Sequence, residues 1–301
     1  MQLLKPLLSH FKPQSLQLDN HEKVLASLMV MAWVVEARDP YTGGHLWRVA
    51  RFAQLLAHQA GISAIETAKI SIGGFLHDLG KVGIPDAILS KKDKLTDEEY
   101  AVIKTHPDIG RRMIAGHPLA SLAIDAIYMH HETPDGRGYP SGLQRTQIPV
   151  VAKIIGVCDA FDAMTSTRPY RQGMPIEKAL SIIKANIGTQ FDPEFSEYLL
   201  QLADSDQLSH IVGHSDEGIP LHDCLMCGPT IVVQSHAKKG DLTYCRACQG
   251  EYKLEEVTEK STFKISPTGA KGSAQDLVSK PDETLISKLI NESAKAIQQI
   301  K

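Results

Sequence analysis

The chain has 301 residues, 43% hydrophobic and 22% charged, which is globular composition and excludes a largely disordered or fibrous protein. Its 32 basic and 35 acidic residues leave a formal charge of −3, so no global basic field draws in nucleic acid. An anionic ligand would have to meet positive charge that is local, from bound metal or from a few placed Arg and Lys.

Residues 1–20 read as a polar lead, broken by Lys5 and Pro6 and without the small-residue pattern of a cleaved signal peptide. From His21 to Asp204 the pattern is helical. Val24, Leu25, Leu28, Met31, Ala32 and Val35 form one apolar stripe, and Leu46, Val49, Ala50, Ala53 and Leu56 form another. The apolar run Leu28–Val35 falls well short of the roughly 20 residues that a spanning helix requires. Ser63 with Glu66, and Thr96 with Glu99, are capping-box starts. Pro175 opens a further helix that Gly188 can close in the left-handed conformation. No alternating strand pattern precedes residue 220. The chain is therefore predicted to be mainly α and soluble in the cytoplasm, with no membrane span.

After Gly213 the texture changes. Short β-type runs, Thr230–Val233 and Leu242–Tyr244, lie within residues 220–257 and are bracketed by two CxxC pairs. Residues 258–281 are polar, carry Pro267, Gly269 and Gly272, and read as a linker. In the last segment, 282–301, Leu285, Ile286, Leu289, Ile290 and Ile297 fall at amphipathic helical spacing. The narrow apolar face and mixed-sign polar face suit docking on the chain itself or on a second copy better than a membrane surface.

Polar residues of the helical region concentrate in five places: Asp39–His45 (DPYTGGH), His77–Lys81 (HDLGK), the segment around His106 (THPDIG), His130–Pro140 (HHETPDGRGYP) and Asp159–Arg171 (DAFDAMTSTRPYR). Each lies near a helix end beside Gly or Pro, where side chains from separate helices can converge on one cleft. Helical neighbours diverge by about 100°, so His77 and Asp78 are expected to serve two adjacent ions, with the carboxylate bridging, and His130–His131 likewise. A set of imidazoles and carboxylates without thiol favours Fe, Mn, Ni or Zn.

Together, HDLGK, HHE…DGRGYP and DAFDAMTSTRPYR resemble the HD-GYP subgroup of the HD-domain metal phosphohydrolases, a likeness that covers residues 21–204 and includes GTQFDP (Gly188–Pro193). The resemblance implies an all-helical domain that hydrolyses cyclic di-GMP to the linear dinucleotide pGpG or on to GMP. Carried over by position, it implies His45, His77, Asp78, His106, His130, His131 and Asp159 as metal ligands, with Asp78 bridging. Two ions are expected, Fe or Mn foremost with Ni or Zn as the others, because Tyr41 stands where members with a third metal carry Glu. Lys81 would contact the scissile phosphate or protonate the leaving oxygen, so Asp78 and Lys81 are the expected catalytic residues. Arg168 and Arg171 would bind phosphate, Gly138, Tyr139 and Pro140 would form the loop beside the nucleotide, and Asp39 would orient the His45 region or bond a metal-held water. Lys153 in place of Arg keeps a charge, and Pro134 replaces a common aromatic residue. Relatives commonly carry a sensor or receiver domain ahead of the catalytic unit; with only the short lead before it, none is expected here.

Physical chemistry agrees: two ions about 3.5–4 Å apart lower the pKa of a bridging water and neutralise charge that builds on a phosphodiester. The alternatives are a non-catalytic receptor for a cyclic dinucleotide, and a phosphodiesterase for another one such as cyclic GMP-AMP. Cys224, Cys227, Cys245 and Cys248 form two thiolate knuckles expected to hold one structural zinc in a ribbon-like module. Its basic residues Lys238, Lys239, Arg246 and Lys253 are too few for a nucleic-acid footprint. The module and the terminal helix are the candidate surfaces for a protein partner, and a homodimer is a further expectation.

Overall fold

The computed structural model describes residues 20–39, 42–91, 93–167, 171–228, 230–257, 262–278 and 280–298. The polar lead, Tyr41 and Arg168 lie outside the described residues.

The helical region begins with α1 (Asn20–Glu36), α2 (His45–Gln59) and α3 (Ala64–Leu76), followed by a 3-10 turn, Leu79–Gly83. After the short α4 (Asp86–Leu89) come α5 (Asp97–Ile103), α6 (His106–Ile114), α7 (Ile124–Met129), α8 (Val150–Thr165), α9 (Ile176–Ala185) and α10 (Pro193–Asp204). The starts follow local chemistry. Ser63 Oγ accepts from Glu66 N, and Thr96 and Glu99 bond reciprocally at the head of α5. Pro175 precedes α9, and Gly188 takes φ +81° in the turn beyond it. The apolar stripe of α2 packs on α3 and α8, and α3 is the hub, touching α1, α7 and α8 as well. Both predicted stripes lie in or against this core, with Leu25, Val49, Ala50, Ala53 and Leu56 inaccessible to solvent.

Two small sheets and a three-stranded sheet follow. Strand β1 (His214–Asp216) pairs with β2 (Ile219–Pro220), earlier in the chain than any strand pattern predicted, because its buried residues Ser215 and Asp216 carry no apolar alternation. Strands β3 (His222–Asp223) and β4 (Thr230–Ile231) form the second pair. In the third sheet β6 (Gly250–Val257) is central between β5 (Leu242–Tyr244) and β7 (Thr262–Lys271), all antiparallel. The last strand corrects the linker reading over Thr262–Lys271. Ile265 and Phe263 point alternately onto the module's core of Ile231, Val233, Tyr252 and Leu254, which outweighs Pro267 and Gly269 as breakers. Strand β7 is an edge, where a proline's missing N–H costs no ladder bond.

The chain ends in α11 (Glu283–Ile297), capped by Asp282, whose carboxylate accepts from Leu285 N and from Ser235. Leu285, Ile286, Leu289 and Ile290 are buried with the helical core, where α11 lies on α1 and α3. The predicted apolar face is thus occupied within the chain. This is why α1 is buried on two sides and reads as apolar nearly all round. No helix among the described residues is long and apolar enough to cross a membrane.

Candidate metal centre

Helix ends carry the polar constellation inward. His45 is the first residue of α2, directly after the Gly43–Gly44 turn, and His77 closes α3. Asp78 leads the 3-10 turn, His106 opens α6, and His130 closes α7 with His131 next in the chain. Asp159 comes from the body of α8.

Four of the rings are held by one nitrogen. His77 Nδ1 bonds Gly74 O at 2.7 Å, His106 Nδ1 bonds Ile103 O at 2.8 Å, and His130 Nδ1 bonds Ala126 O at 2.8 Å. His45 Nδ1 instead meets Asp162 Oδ2 at 2.8 Å. Each partner fixes the Nδ1–H tautomer and leaves the Nε2 lone pair for a ligand. The inward atoms are spaced accordingly. His45 Nε2 lies 3.6 Å from Asp78 Oδ2 and 3.5 Å from Asp159 Oδ1, and His77 Nε2 lies 3.4 and 3.9 Å from the same two oxygens. His106 Nε2 lies 3.4 Å from Asp78 Oδ1 and 3.3 Å from His130 Nε2. His45, His77 and Asp78 thus form one group with metal-ligand spacing, and His106, His130 and His131 form a second. Asp78 faces the first group with Oδ2 and the second with Oδ1. His77 Nε2 is buried and makes no hydrogen bond, an orphan that a divalent ion would satisfy.

His77 and Asp78 share the first group while Asp78 also turns an oxygen to the second, and His130 and His131, which the spacing set on two ions, fall in one group. The 100° separation applies inside a helix, whereas both dyads sit where a helix has just ended.

Burial keeps four of the rings neutral, while neighbouring groups, against burial, keep the carboxylates charged. Desolvation pushes His106 down to about 4 and His131 to about 3, against the pull of Asp78 and Asp159. His77 and His130 are lowered by burial as well. Burial alone would raise Asp78, yet Lys81, His77 and His45 hold it well below the usual carboxylate range. His45 is the exception: burial pulls it down, but bonds to Asp162 and Asp78 outweigh this and raise it to about 9 in the ion-free protein.

Sequence reasoning missed two buried residues behind His45. Asp162 accepts from His45, from Arg48 Nε and, at 3.1 Å, from Arg48 Nη2. Asp162 thus orients the His45 ring from behind. The signal was available: Asp162 stands three residues after Asp159 on α8, on the same face, as Arg48 stands three after His45 on α2.

At the rim, Lys81 Nζ bonds Asp78 Oδ2 at 2.5 Å, and its side chain is 30% exposed. Tyr139 stacks on His131 with ring centroids 4.6 Å apart and donates its backbone N–H to His131 O. Gly138 lies against the backbone of Thr133, Glu132 and His131, where a side chain would collide. Beyond Pro140, Glu132 accepts from Ser141 N and Leu143 N and ties the loop down. Arg171 donates to Ala163 O and Met164 O at the end of α8 and to Gln172 O beside it.

The cysteines form a separate site. Cys224–Cys227, Cys224–Cys248 and Cys227–Cys245 have Sγ separations of 3.6, 3.6 and 3.5 Å. The edge of a tetrahedron with Zn–S bonds of about 2.3 Å is close to this, and a disulfide is far shorter. Burial would raise Cys224, but the Tyr252 hydroxyl and backbone N–H groups bring it down to about 6, toward thiolate.

Helix-end imidazoles around a two-sided aspartate define a metal-dependent helical domain of the HD type. Residues 29–195 match the family model described as HD domain, and the chain belongs to that family, whose fold binds divalent metal. Similar proteins include the cyclic di-GMP phosphodiesterase response regulator RpfG of Xanthomonas campestris pv. campestris, 39% identical over 60% of this chain and 48% of the relative. A cyclic di-GMP phosphodiesterase of Thermotoga maritima is 38% identical over 58% of this chain and 48% of the relative. The 3'3'-cGAMP-specific phosphodiesterase 3 of Vibrio cholerae is 40% identical over 54% of this chain and 35% of the relative. The chain spans about half the length, or less, of these relatives.

Proposed function

We propose that this chain is a cytoplasmic hydrolase that opens the phosphodiester bonds of cyclic di-GMP, giving pGpG and, with a second cleavage, GMP. The observation that carries the reading is Asp78, whose two oxygens face two separate imidazole groups and so suit it to bridge a pair of ions. His45, His77 and Asp159 would complete one ion's donors, and His106, His130 and His131 the other's, with Fe or Mn favoured by imidazole and carboxylate ligands. Bound there, the ions supply an acidified water and neutralise charge on the phosphoryl oxygens.

The remaining steps belong to the protein. Lys81 reaches from Asp78 toward the solvent side, placed to touch the scissile phosphate and give a proton to the leaving oxygen. Arg168 and Arg171 offer planar donor forks to phosphate, and Arg171 also bonds the carbonyls that end α8. Gly138, Tyr139 and Pro140 shape the nucleotide side, and the His131–Tyr139 stack ties that loop to the centre. The four cysteines hold one structural zinc, and the ribbon-like module offers a surface for a protein partner or a second copy.

The test is product analysis with cyclic di-GMP on protein loaded with Mn or Fe, beside Asp78→Ala. Turnover in the wild type and loss of about three orders of magnitude in the variant support the reading. Full metal occupancy with tight binding and no turnover would make the chain a receptor instead. The likeness to the Vibrio cholerae enzyme favours a second reading, cyclic GMP-AMP as substrate, which a side-by-side comparison of kcat/KM decides.

A further inference from the structure

The turn that presents His45 is covered by the C-terminal part of the chain at three points. A Cβ on Gly43 would run into Val232, just beyond β4. Gly44 sits at φ +76°, and a Cβ there would lie 2.8 Å from Ser215 Cα in β1. Arg48, 1% exposed, donates through Nη1 to Gly43 O at 3.0 Å and to His214 O at 2.9 Å, while the same guanidinium holds Asp162 behind His45. A further tie comes from the second cysteine knuckle. Arg246, between Cys245 and Cys248, donates to Ala37 O at 2.6 Å and lies over the Trp33 ring. On the other side Arg38 bonds Lys81 O and Ile84 O, so Ala37 and Arg38, just beyond α1, are held between the cysteine module and the turn that follows Asp78.

We infer that the four-cysteine module, with the β1–β2 hairpin that packs on its core through Ile219, completes the catalytic metal centre: Val232 of the module and β1 of the hairpin clamp the Gly43–Gly44 turn, and Arg48 acts as a positioning residue that transmits this seat to His45. The inference rests on the reading of His45 as a ligand of the first ion. Diglycine at this turn has a physical reason, since only residues without Cβ let strand β1 and Val232 approach so closely. The module's small core is separate from the helical core, so its fold depends on the cysteine-bound ion while the helices do not. Zinc loss or thiol oxidation at the ribbon would then loosen one half of the catalytic centre and leave the other intact.

The experiment uses the full chain and Mn²⁺ as probe, with zinc content measured on each sample. Two Mn²⁺ binding steps are expected in the wild type, and the step lost in His45→Ala marks the His45 side. In Cys227→Ser that step weakens by about tenfold or more, the loss typical of a disturbed outer partner, while the other step stays within about twofold. Amide exchange at His45, Leu46 and Arg48 quickens in the same variant. Arg48→Lys, which keeps the charge but not the three-way bonding, weakens the same step and adds little to Cys227→Ser in the double variant. Arg246→Ala, which leaves all four thiols in place, weakens it too and serves if Cys227→Ser fails to fold. Zinc-free Cys227→Ser, or Arg246→Ala, with both steps and the exchange rates unchanged would overturn the inference while the function stands. A wild type that binds no Mn²⁺ at the His/Asp centre overturns the function reading itself.

Discussion

Asp162→Asn keeps the size and shape of the side chain but replaces one acceptor oxygen with an amide that donates. In the native arrangement Oδ1 accepts from Arg48 Nε, and Oδ2 from His45 Nδ1 and Arg48 Nη2. Asparagine can satisfy only one side. With its oxygen on Arg48 Nε, the amide N–H faces His45 Nδ1 and selects the tautomer protonated at Nε2, which has no lone pair for an ion. With its oxygen on His45, the amide confronts the donors of Arg48, and a guanidinium 1% exposed loses its counter-ion. Loss of such an orienting carboxylate costs about 10–100-fold in metal affinity. Breaking a buried ion pair costs about 3–5 kcal/mol. The bonds from Arg48 to Gly43 O, His214 O and Ser166 Oγ survive and put the cost at the lower end, so a fall in Tm of about 6–12 °C is expected. Calorimetric titration of ion-free protein with Mn²⁺, with melts on the same samples, reads both effects. If Asp162→Asn binds both ions as the wild type does, Asp162 does not position His45 and the reasoning fails.

Ile286→Ala on α11 should cost about 2–5 kcal/mol in denaturant unfolding, because Ile286 is fully buried against α1 and α3; a change near zero would mean that α11 does not dock. Tyr139→Leu removes the ring that stacks on His131 and should lower kcat/KM by about tenfold, whereas Tyr139→Phe keeps the stack and most of the rate. In ion-free protein His106 and His131 titrate at about 4 and 3, below the ordinary histidine value near 6.5, so the unfolded chain takes up protons first. Its stability should therefore fall as pH drops from about 6.5 toward 4, while His45, raised to about 9, adds stability as pH falls from 9 to 6.5. Urea midpoints across pH in a chelator would show a maximum near neutrality, and a midpoint that rises between pH 6 and 4.5 would contradict this.

The helical half was legible because its signals are local: the α2 stripe, the Thr96–Glu99 box and the proline before α9 each act within one or two turns. The residues of the candidate centre were legible for the same reason, as histidines and aspartates beside Gly or Pro. What the sequence hid was set by long-range contact. Asp162 differs from any buried helix residue only through Arg48 and His45, more than a hundred positions away. Strand β7 hid behind Pro267 and Gly269, since its stability comes from pairing with β6 and from Ile265 on the module's core. The mutual placement of His77 and Asp78 depended on where α3 stops, the feature that periodicity locates least well.

The charge of the centre answers the difficulty that the proposed anionic substrate poses for a chain with net −3. Most of its donors are imidazoles, and burial holds His77, His106, His130 and His131 below the ordinary histidine value, so they contribute lone pairs without adding negative charge. Of the other carboxyls near His45, Asp162 is neutralised by Arg48 and lies behind the ring, and burial pushes Glu36 up toward its neutral form. A pair of divalent ions would thus be offset by Asp78 and Asp159, with Lys81 adding a further positive charge at the rim. A ligand set richer in carboxylate would hold the ions more tightly and cancel the field that draws in a phosphodiester. A preference for histidine suits the charge of the proposed substrate, and it brings the need to fix each ring from behind, because a neutral ligand grips an ion less strongly and depends more on its orientation.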